Sequence, residues 1–277
     1  MGEIAVSDCN SIDVFLRKIT PKNPRTLEKI WKVGAVSYLN TKPLLYGILR
    51  SPEVMRRLEL TIDYPSIIAQ DLVTGDSDMG LVPVAVIPRL REYHINGSYC
   101  IGAEGEVASV CLFSEVPLEE VQTVLLDYQS RTSVALLKVL LRFHWGRTPA
   151  FVNTHEDYRS LIKGTTAGLV IGDRALEQRK VSPYVYDLGA AWKAFTGLPF
   201  VFAAWISNRP IDEAFVRVFD EACGVGIRRL DDVLVENPYP VYDLHTYYTR
   251  NISYVLTREK REGLALFLHY INELQGK

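Results

Sequence analysis

The sequence predicts a two-lobed α/β protein, and three observations carry that reading. Short apolar runs alternate with polar loops and helix starts from Lys32 onward, a second series of the same kind begins near Val107, and the last quarter changes to helical spacing. In the first series the pattern reads strand over 33–36, helix over 43–49, strand over 58–62, helix over 67–73 and strand over 79–82. Alternation of this kind argues for a largely parallel sheet. The second series gives strands over 107–113, 121–126, 167–171 and 200–206, with a helix over 131–143 between two of them. From Pro210 the apolar positions Ile211, Phe215, Val218, Phe219, Ala222 and Cys223 fall at helical spacing, as do Leu264, Phe267, Leu268, Ile271 and Leu274. Between these helices Tyr239, Tyr242, Tyr247, Tyr248 and Tyr254 have few basic neighbours, so they read as packing helices onto the first lobe rather than stacking bases. A loose helix over 11–30, ending at Pro21 and Pro24, has no evident partner. The expected organisation is therefore an extension at 1–31, a first lobe of 32–108 plus 204–277, and a second lobe of 109–203.

Composition narrows the function classes. A chain of 277 residues with 48% hydrophobic and 23% charged residues has the make-up of a globular protein able to bury a sizeable core. Lys and Arg number 31 against 33 Asp and Glu, so no global positive field advertises nucleic acid or an acidic membrane, and any anion must be held by local groups. Cys9, Cys100, Cys111 and Cys223 lie far apart, without the close pairs of a zinc site, and three of them sit among apolar neighbours as small core residues. The first 31 residues lack the continuous apolar segment of a secretory signal, and no later stretch is long enough to span a bilayer, which makes the cytoplasm the expected location. His94, His144, His155, His245 and His269 do not cluster, and neither a glycine-rich phosphate loop nor a His-Glu-x-x-His motif occurs. No cofactor and no metal is expected.

Three strand ends open into polar helix starts. Residues 34–44 read Gly-Ala-Val-Ser-Tyr-Leu-Asn-Thr-Lys-Pro-Leu, so Ser37, Tyr38 and Asn40 follow a strand and Pro43 marks the first turn of a helix. Such a loop aims hydroxyl and amide groups, with the free N–H groups of a helix start, at one point where an anionic small molecule can sit. Residues 127–133 repeat the arrangement, with Ser130, Arg131, Thr132 and Ser133 offering hydroxyls and a guanidinium able to grip a carboxylate in two places. The plainer reading of that segment makes Ser130 an N-cap and Arg131 a solvated charge. Asp173, after the strand over 167–171 and Gly172, either caps its helix or touches a substrate hydroxyl, or orders Arg131. Backbone amides near Thr196 and Gly197 are placed to line the same cleft.

These residues carry a resemblance. The Val-Ser-Tyr-Leu-Asn-Thr-Lys-Pro-Leu loop, the Leu-x-x-Gly-x-x-Asp within 65–78, Leu81-Val82-Pro83, Ala108-Ser109-Val110, 127–133, 171–176 and 196–205 occur in the order found in the chorismate dehydratases of the futalosine route to menaquinone, which this chain resembles from Lys32 to its end. The resemblance implies a type II periplasmic-binding-protein-like fold with a cleft between lobes. It implies loss of water from chorismate to give 3-[(1-carboxyvinyl)oxy]benzoate, with Asn40 and Ser109 nearest the reacting ring. Neither is a base at neutral pH, which leaves the enolpyruvyl carboxylate of the substrate to remove the ring proton. A related pathway enzyme that releases 1,4-dihydroxy-6-naphthoate ranks lower, because its first loop has a Ser-Pro-Cys-Pro-Asn-Asp pattern where this chain has Ser-Tyr-Leu-Asn. A cytosolic protein that binds or senses a small anion is the alternative of a different class. Oligomeric state has no signature in the sequence.

Overall fold

The computed structural model describes residues 29–276; the helix expected over 11–30, the extension at 1–31 except its last residues, and Cys9 fall outside that range. The first lobe opens with β1 (Trp31–Val36), α1 (Lys42–Arg50), α2 (Pro52–Arg56), β2 (Leu58–Asp63), α3 (Pro65–Thr74), β3 (Met79–Pro83) and β4 (His94–Ala103). The chain then crosses to β5 (Val110–Ser114), β6 (Thr123–Leu126), α4 (Arg131–Val139), β7 (Ala150–Asn153), β8 (Thr166–Ile171), α5 (Asp173–Gln178), β9 (Tyr184–Asp187) and α6 (Leu188–Thr196). It returns through β10 (Phe200–Ser207) and ends in α7 (Glu213–Arg228), α8 (Leu230–Glu236), α9 (Leu244–Thr246), β11 (Ser253–Val255) and α10 (Arg258–Leu274).

β1 buries Trp31, Val33, Ala35 and Val36 because it runs inside the sheet, parallel to β2 on one side and to β3 on the other. The order of the six strands is β11-β4-β10-β3-β1-β2. β10 is antiparallel to β3 and β4, and β11 is antiparallel to β4, so the sheet is mixed and the expectation of a largely parallel one is corrected. The cause is the return strand, which comes back from the second lobe and inserts between β3 and β4 against their direction. β10 begins at Phe200, ahead of the return point expected at 204. β4 lies where the sequence gives no strand signal, since Asn96, Gly97 and Ser98 interrupt its apolar positions. Gly97 has φ +75° there, and Asp220 of α7 accepts the N–H of Ser98 at 2.6 Å.

The second sheet has the order β7-β6-β8-β5-β9, with β6 parallel to β7 and β8, and β5 antiparallel to β8 and β9. Its strands alternate faces. Val110 and Leu112 of β5 point into the main core, whereas Cys111 and Phe113 join Leu125, Tyr158 and Val170 in a smaller cluster on the other face. Cys100, Cys111 and Cys223 are free and buried, as small core residues. No helix among the described residues is long and apolar enough to cross a membrane.

Helix boundaries follow their caps. Ser130 accepts the N–H of Ser133 at 3.1 Å at the start of α4, which runs straight into a π-helical turn over Leu140–His144, so the helix expected over 131–143 spans both. Asp212 caps α7 by accepting from Ala214 and Phe215, and Thr257 caps α10. α1 crosses α7 at very close range. A Cβ on Gly47 would stand 1.8 Å from the carbonyl oxygen of Ala222, and one on Gly226 would stand 1.8 Å from that of Pro43. Only glycine permits this contact, which seats the first turn of α1 directly on α7.

Candidate functional site

One pocket lies between the sheets, with an empty volume of about 550 Å³ including its mouth. Val36, Tyr38 and Asn40 line it from the end of β1, and Leu81, Pro83 and Phe202 from β3 and β10. Val107, on the crossing between the sheets, and Ser109, Ser130, Ser133, Ile171 and Gly172 close it from the other side. The walls are apolar with a few neutral donors, and no side chain on them carries a positive charge.

Asn40 sits in a 3-10 turn, Leu39–Thr41, that links β1 to α1. The Thr41 hydroxyl donates to Asn40 Oδ1 at 3.2 Å, which leaves the amide N–H₂ as the group free to donate. The backbone carbonyl of Asn40 accepts the hydroxyl of Tyr254 at 2.9 Å. Ser109 is almost wholly buried, and its Oγ accepts the hydroxyl of Tyr247 at 2.8 Å. The Asn40 side chain lies near the same Tyr247 hydroxyl and offsets part of the effect of burial on it. Asn40 and Ser109, the first after a strand of one sheet and the second before a strand of the other, thus line one pocket beside Tyr247.

The backbone that presents Ser109 is held in an uncommon shape. The N–H of Ser109 donates to the carbonyl of Val107 at 2.7 Å, and the residue between them, Ala108, has φ +60°. A positive φ closed by a hydrogen bond between residues two apart is a γ-turn of the strained kind, costing about 1–3 kcal/mol for a residue other than glycine. Asp187 pins it. One carboxylate oxygen accepts from Val107 N at 3.1 Å and the other from Ala108 N at 2.8 Å, while Gly189 N and Ala190 N at the start of α6 also donate to it, each at 3.0 Å. Burial pushes the Asp187 carboxyl above the usual range, and these N–H groups pull it back. Arg179 adds a third anchor, donating to Ala108 O at 3.3 Å and Cys111 Sγ at 3.2 Å and pairing with Glu106.

At the α4 end, the Ser130 hydroxyl donates to Ser133 Oγ at 2.8 Å, so the hydroxyl hydrogen of Ser133 is free for the pocket. Arg131 is exposed and stands outside the lining, so the carboxylate grip expected of it is corrected. The reason is helical geometry: Ser130 and Ser133 are three residues apart and share a side, whereas Arg131 is turned about 100° from Ser130. Thr132 is buried but serves structure, its Oγ1 accepting from Ala85 N of the first lobe at 3.1 Å. Thr196 and Gly197 are likewise not brought to the pocket; they end α6, with Gly197 at φ +73° and Thr196 bonded to Trp192 O. Ser37 is exposed at the loop.

Asp173 neither caps its own helix nor meets Arg131. Its Oδ1 accepts from Leu39 N at 3.3 Å, tying α5 to the loop that carries Asn40. Burial pushes its carboxyl up to about 6, against the opposing effects of the Leu39 N–H and of Lys42. Tyr38 makes a second link between the lobes, donating to Gln129 Oε1 at 2.5 Å. Behind it Arg174 donates to the same Gln129 oxygen at 2.8 Å and to Asp127 at 2.7 Å, and Tyr158 donates to Asp127 at 3.0 Å. Arg174, not Arg131, is therefore the guanidinium near the site, already paired with a buried carboxylate. The sequence contained a signal for Tyr247 and Tyr254 in the aromatic run, but not for the direction of their hydroxyls. Gln129 and Arg174 fall inside the segments 127–133 and 171–176, but nothing local marked their roles or that of Asp187.

Two sheets joined by two crossings around a central pocket make a periplasmic-binding-protein-like fold. Among solved structures, protein AF1704 of Archaeoglobus fulgidus superimposes with a TM-score of 0.68 at 13% identity, over 89% of this chain and 97% of that one. The periplasmic aliphatic sulphonate binding protein SsuA of Escherichia coli gives 0.62 at 14% identity, over 90% of this chain and 87% of that one. A family model described as menaquinone biosynthesis matches residues 31–273, and the chain belongs to that family. A curated relative, the chorismate dehydratase of Thermus thermophilus, is 32% identical over 193 residues, which cover 61% of this chain and 70% of that protein.

Proposed function

We propose that the protein is a chorismate dehydratase, a hydro-lyase that converts chorismate to 3-[(1-carboxyvinyl)oxy]benzoate and water for menaquinone synthesis. In this reading the lobes at 32–108 with 204–277 and at 109–203 enclose the substrate, and Asn40 and Ser109 act on the ring from opposite walls. The observation that carries it is the convergence of those two side chains, each from its own lobe, on one pocket of neutral donors.

The chemistry suits such a pocket. The bond from ring carbon to the hydrogen beside the enol-ether oxygen breaks, its electron pair forms the new ring double bond, and the neighbouring hydroxyl leaves with a proton as water. Aromatisation drives the step, so the protein has only to hold the substrate and to stabilise charge as it develops. Asn40 and Ser109 donate hydrogen bonds to the leaving oxygen or a carboxylate, and the substrate's own enolpyruvyl carboxylate takes the ring proton. The hydroxyl of Ser133 and the free N–H groups of the first turn of α4 bind a substrate carboxylate without a formal positive charge. In this reading the enzyme works in the cytoplasm, and a doubly charged substrate that does not cross membranes unaided supports a single compartment for its making and its use.

Incubation with chorismate tests the reading. An enzyme yields a product one water lighter with benzenoid ultraviolet absorption. A raised melting temperature without product would show a binding or sensor protein instead.

A further inference from the structure

We infer that Tyr247 is a positioning residue that fixes the direction in which the Ser109 hydroxyl donates. The inference rests on the dehydratase reading and adds to it a residue from the last quarter of the chain. Tyr247 opens a π-helical turn, Tyr247–Asn251, that follows α9, and its ring is completely buried between those of Tyr242 and Tyr248, at centroid distances of 6.2 and 5.6 Å. Its hydroxyl lies 2.8 Å from Ser109 Oγ.

The hydrogens along this line can be assigned in order. Asn40 Oδ1 is engaged by the Thr41 hydroxyl, so the group of Asn40 left to donate in the neighbourhood of Tyr247 is its N–H₂. The Tyr247 hydroxyl donates its hydrogen to Ser109 Oγ. Burial holds the phenol protonated far above neutral pH, so the hydroxyl keeps a hydrogen to donate. A serine hydroxyl alone in a pocket either donates or accepts. Here an accepting position of Ser109 is filled from behind, and its own hydrogen is the one left for the pocket it lines. A chain of donors polarises its last member, which makes Ser109 a better donor to an oxygen that gains negative charge as it leaves. Tyr254 braces the far end through the backbone carbonyl of Asn40.

Steady-state kinetics with chorismate tests this. Tyr247→Phe keeps the ring and removes the donor; its kcat is expected to fall on the order of tenfold to a hundredfold, with KM within about threefold of wild type. Phe-variant turnover within about twofold of wild type overturns the inference, as does a KM that rises in step with the loss of kcat, which marks a role in packing alone. A second variant carries 3-fluorotyrosine at position 247, which retains the packing and sharpens the donor; its kcat is expected at or above the wild-type value, and a loss there overturns the inference even if Tyr247→Phe does not fold. A wild-type protein that forms no product defeats the dehydratase reading and this inference together. An active wild type with an unimpaired Phe variant defeats this inference alone.

Discussion

The two walls of the pocket are built by opposite means. On the Asn40 wall, everything that shapes the loop is within a few residues: a strand that ends at Val36, a 3-10 turn, Thr41 fixing the amide, and Pro43 at the start of α1. On the Ser109 wall the backbone bends at Ala108 in a way its own sequence does not favour, and Asp187, Arg179 and Tyr247 hold it there from distant elements. A locally coded wall survives as a motif in the sequence, whereas a wall imposed by tertiary contacts leaves little local trace. The same difference sets what each wall is sensitive to.

The largest effect expected is on turnover. Asn40→Ala and Ser109→Ala each lower kcat by about 100- to 1000-fold, as loss of a donor to developing charge does, while calorimetric affinity for the product stays within about tenfold. Unchanged turnover in both variants removes them from the mechanism. Next comes Asp187→Ala, which strands the N–H groups of Val107, Ala108, Gly189 and Ala190. Urea unfolding is expected to show a loss of about 2–4 kcal/mol, and kcat to fall with it because Ser109 is no longer aimed. Equal stability after this change would mean that the turn at Ala108 holds itself.

Asp173 gives a smaller, pH-dependent effect. Its carboxyl is raised to about 6 in the folded chain, above its unfolded value. A raised carboxyl favours folding when protonated, so its contribution is complete below about pH 4 and is lost as pH climbs through about 6. Asp173→Asn still accepts the Leu39 N–H but has no charge to bury. The variant is expected to exceed wild type in stability by about 1–2 kcal/mol at pH 7 and to match it near pH 4. A difference that does not change between those two pH values breaks the expectation. The smallest effect is that of Ala108→Gly, which relieves the positive φ but loosens the unfolded chain; a net gain of up to about 1 kcal/mol is expected in thermal unfolding. A clear loss of stability there would show that the methyl group's packing outweighs the backbone strain.

Legibility in the sequence follows the same division. β1 with its loop, the helix starts at Pro43 and Ser130, and the helices after Pro210 were readable because apolar period, proline and caps lie close together in the chain. β4 was not, since Gly97 answers to Asp220 of α7 and not to its neighbours in the strand. Arg131 illustrates a different limit. A run of four polar residues at a helix start states which groups are available, but the 100° turn between neighbours decides which of them faces a ligand. Thr196 and Gly197 likewise looked like a ligand turn, and the left-handed φ of Gly197 belongs instead to the end of α6. The tyrosines after Asn237 read as packing groups, yet their polar ends reach both pocket walls, because a phenol combines an apolar body with a directional tip.

The close crossing of α1 on α7 has a consequence for how the protein is made. Residues of the Asn40 loop leave the ribosome early, but the surface that seats α1 includes Gly226, and the hydroxyls that engage Asn40 and Ser109 belong to Tyr247 and Tyr254. The front of the chain must therefore wait, nascent and half-supported, until its last quarter has been synthesised before the pocket can close around a ligand.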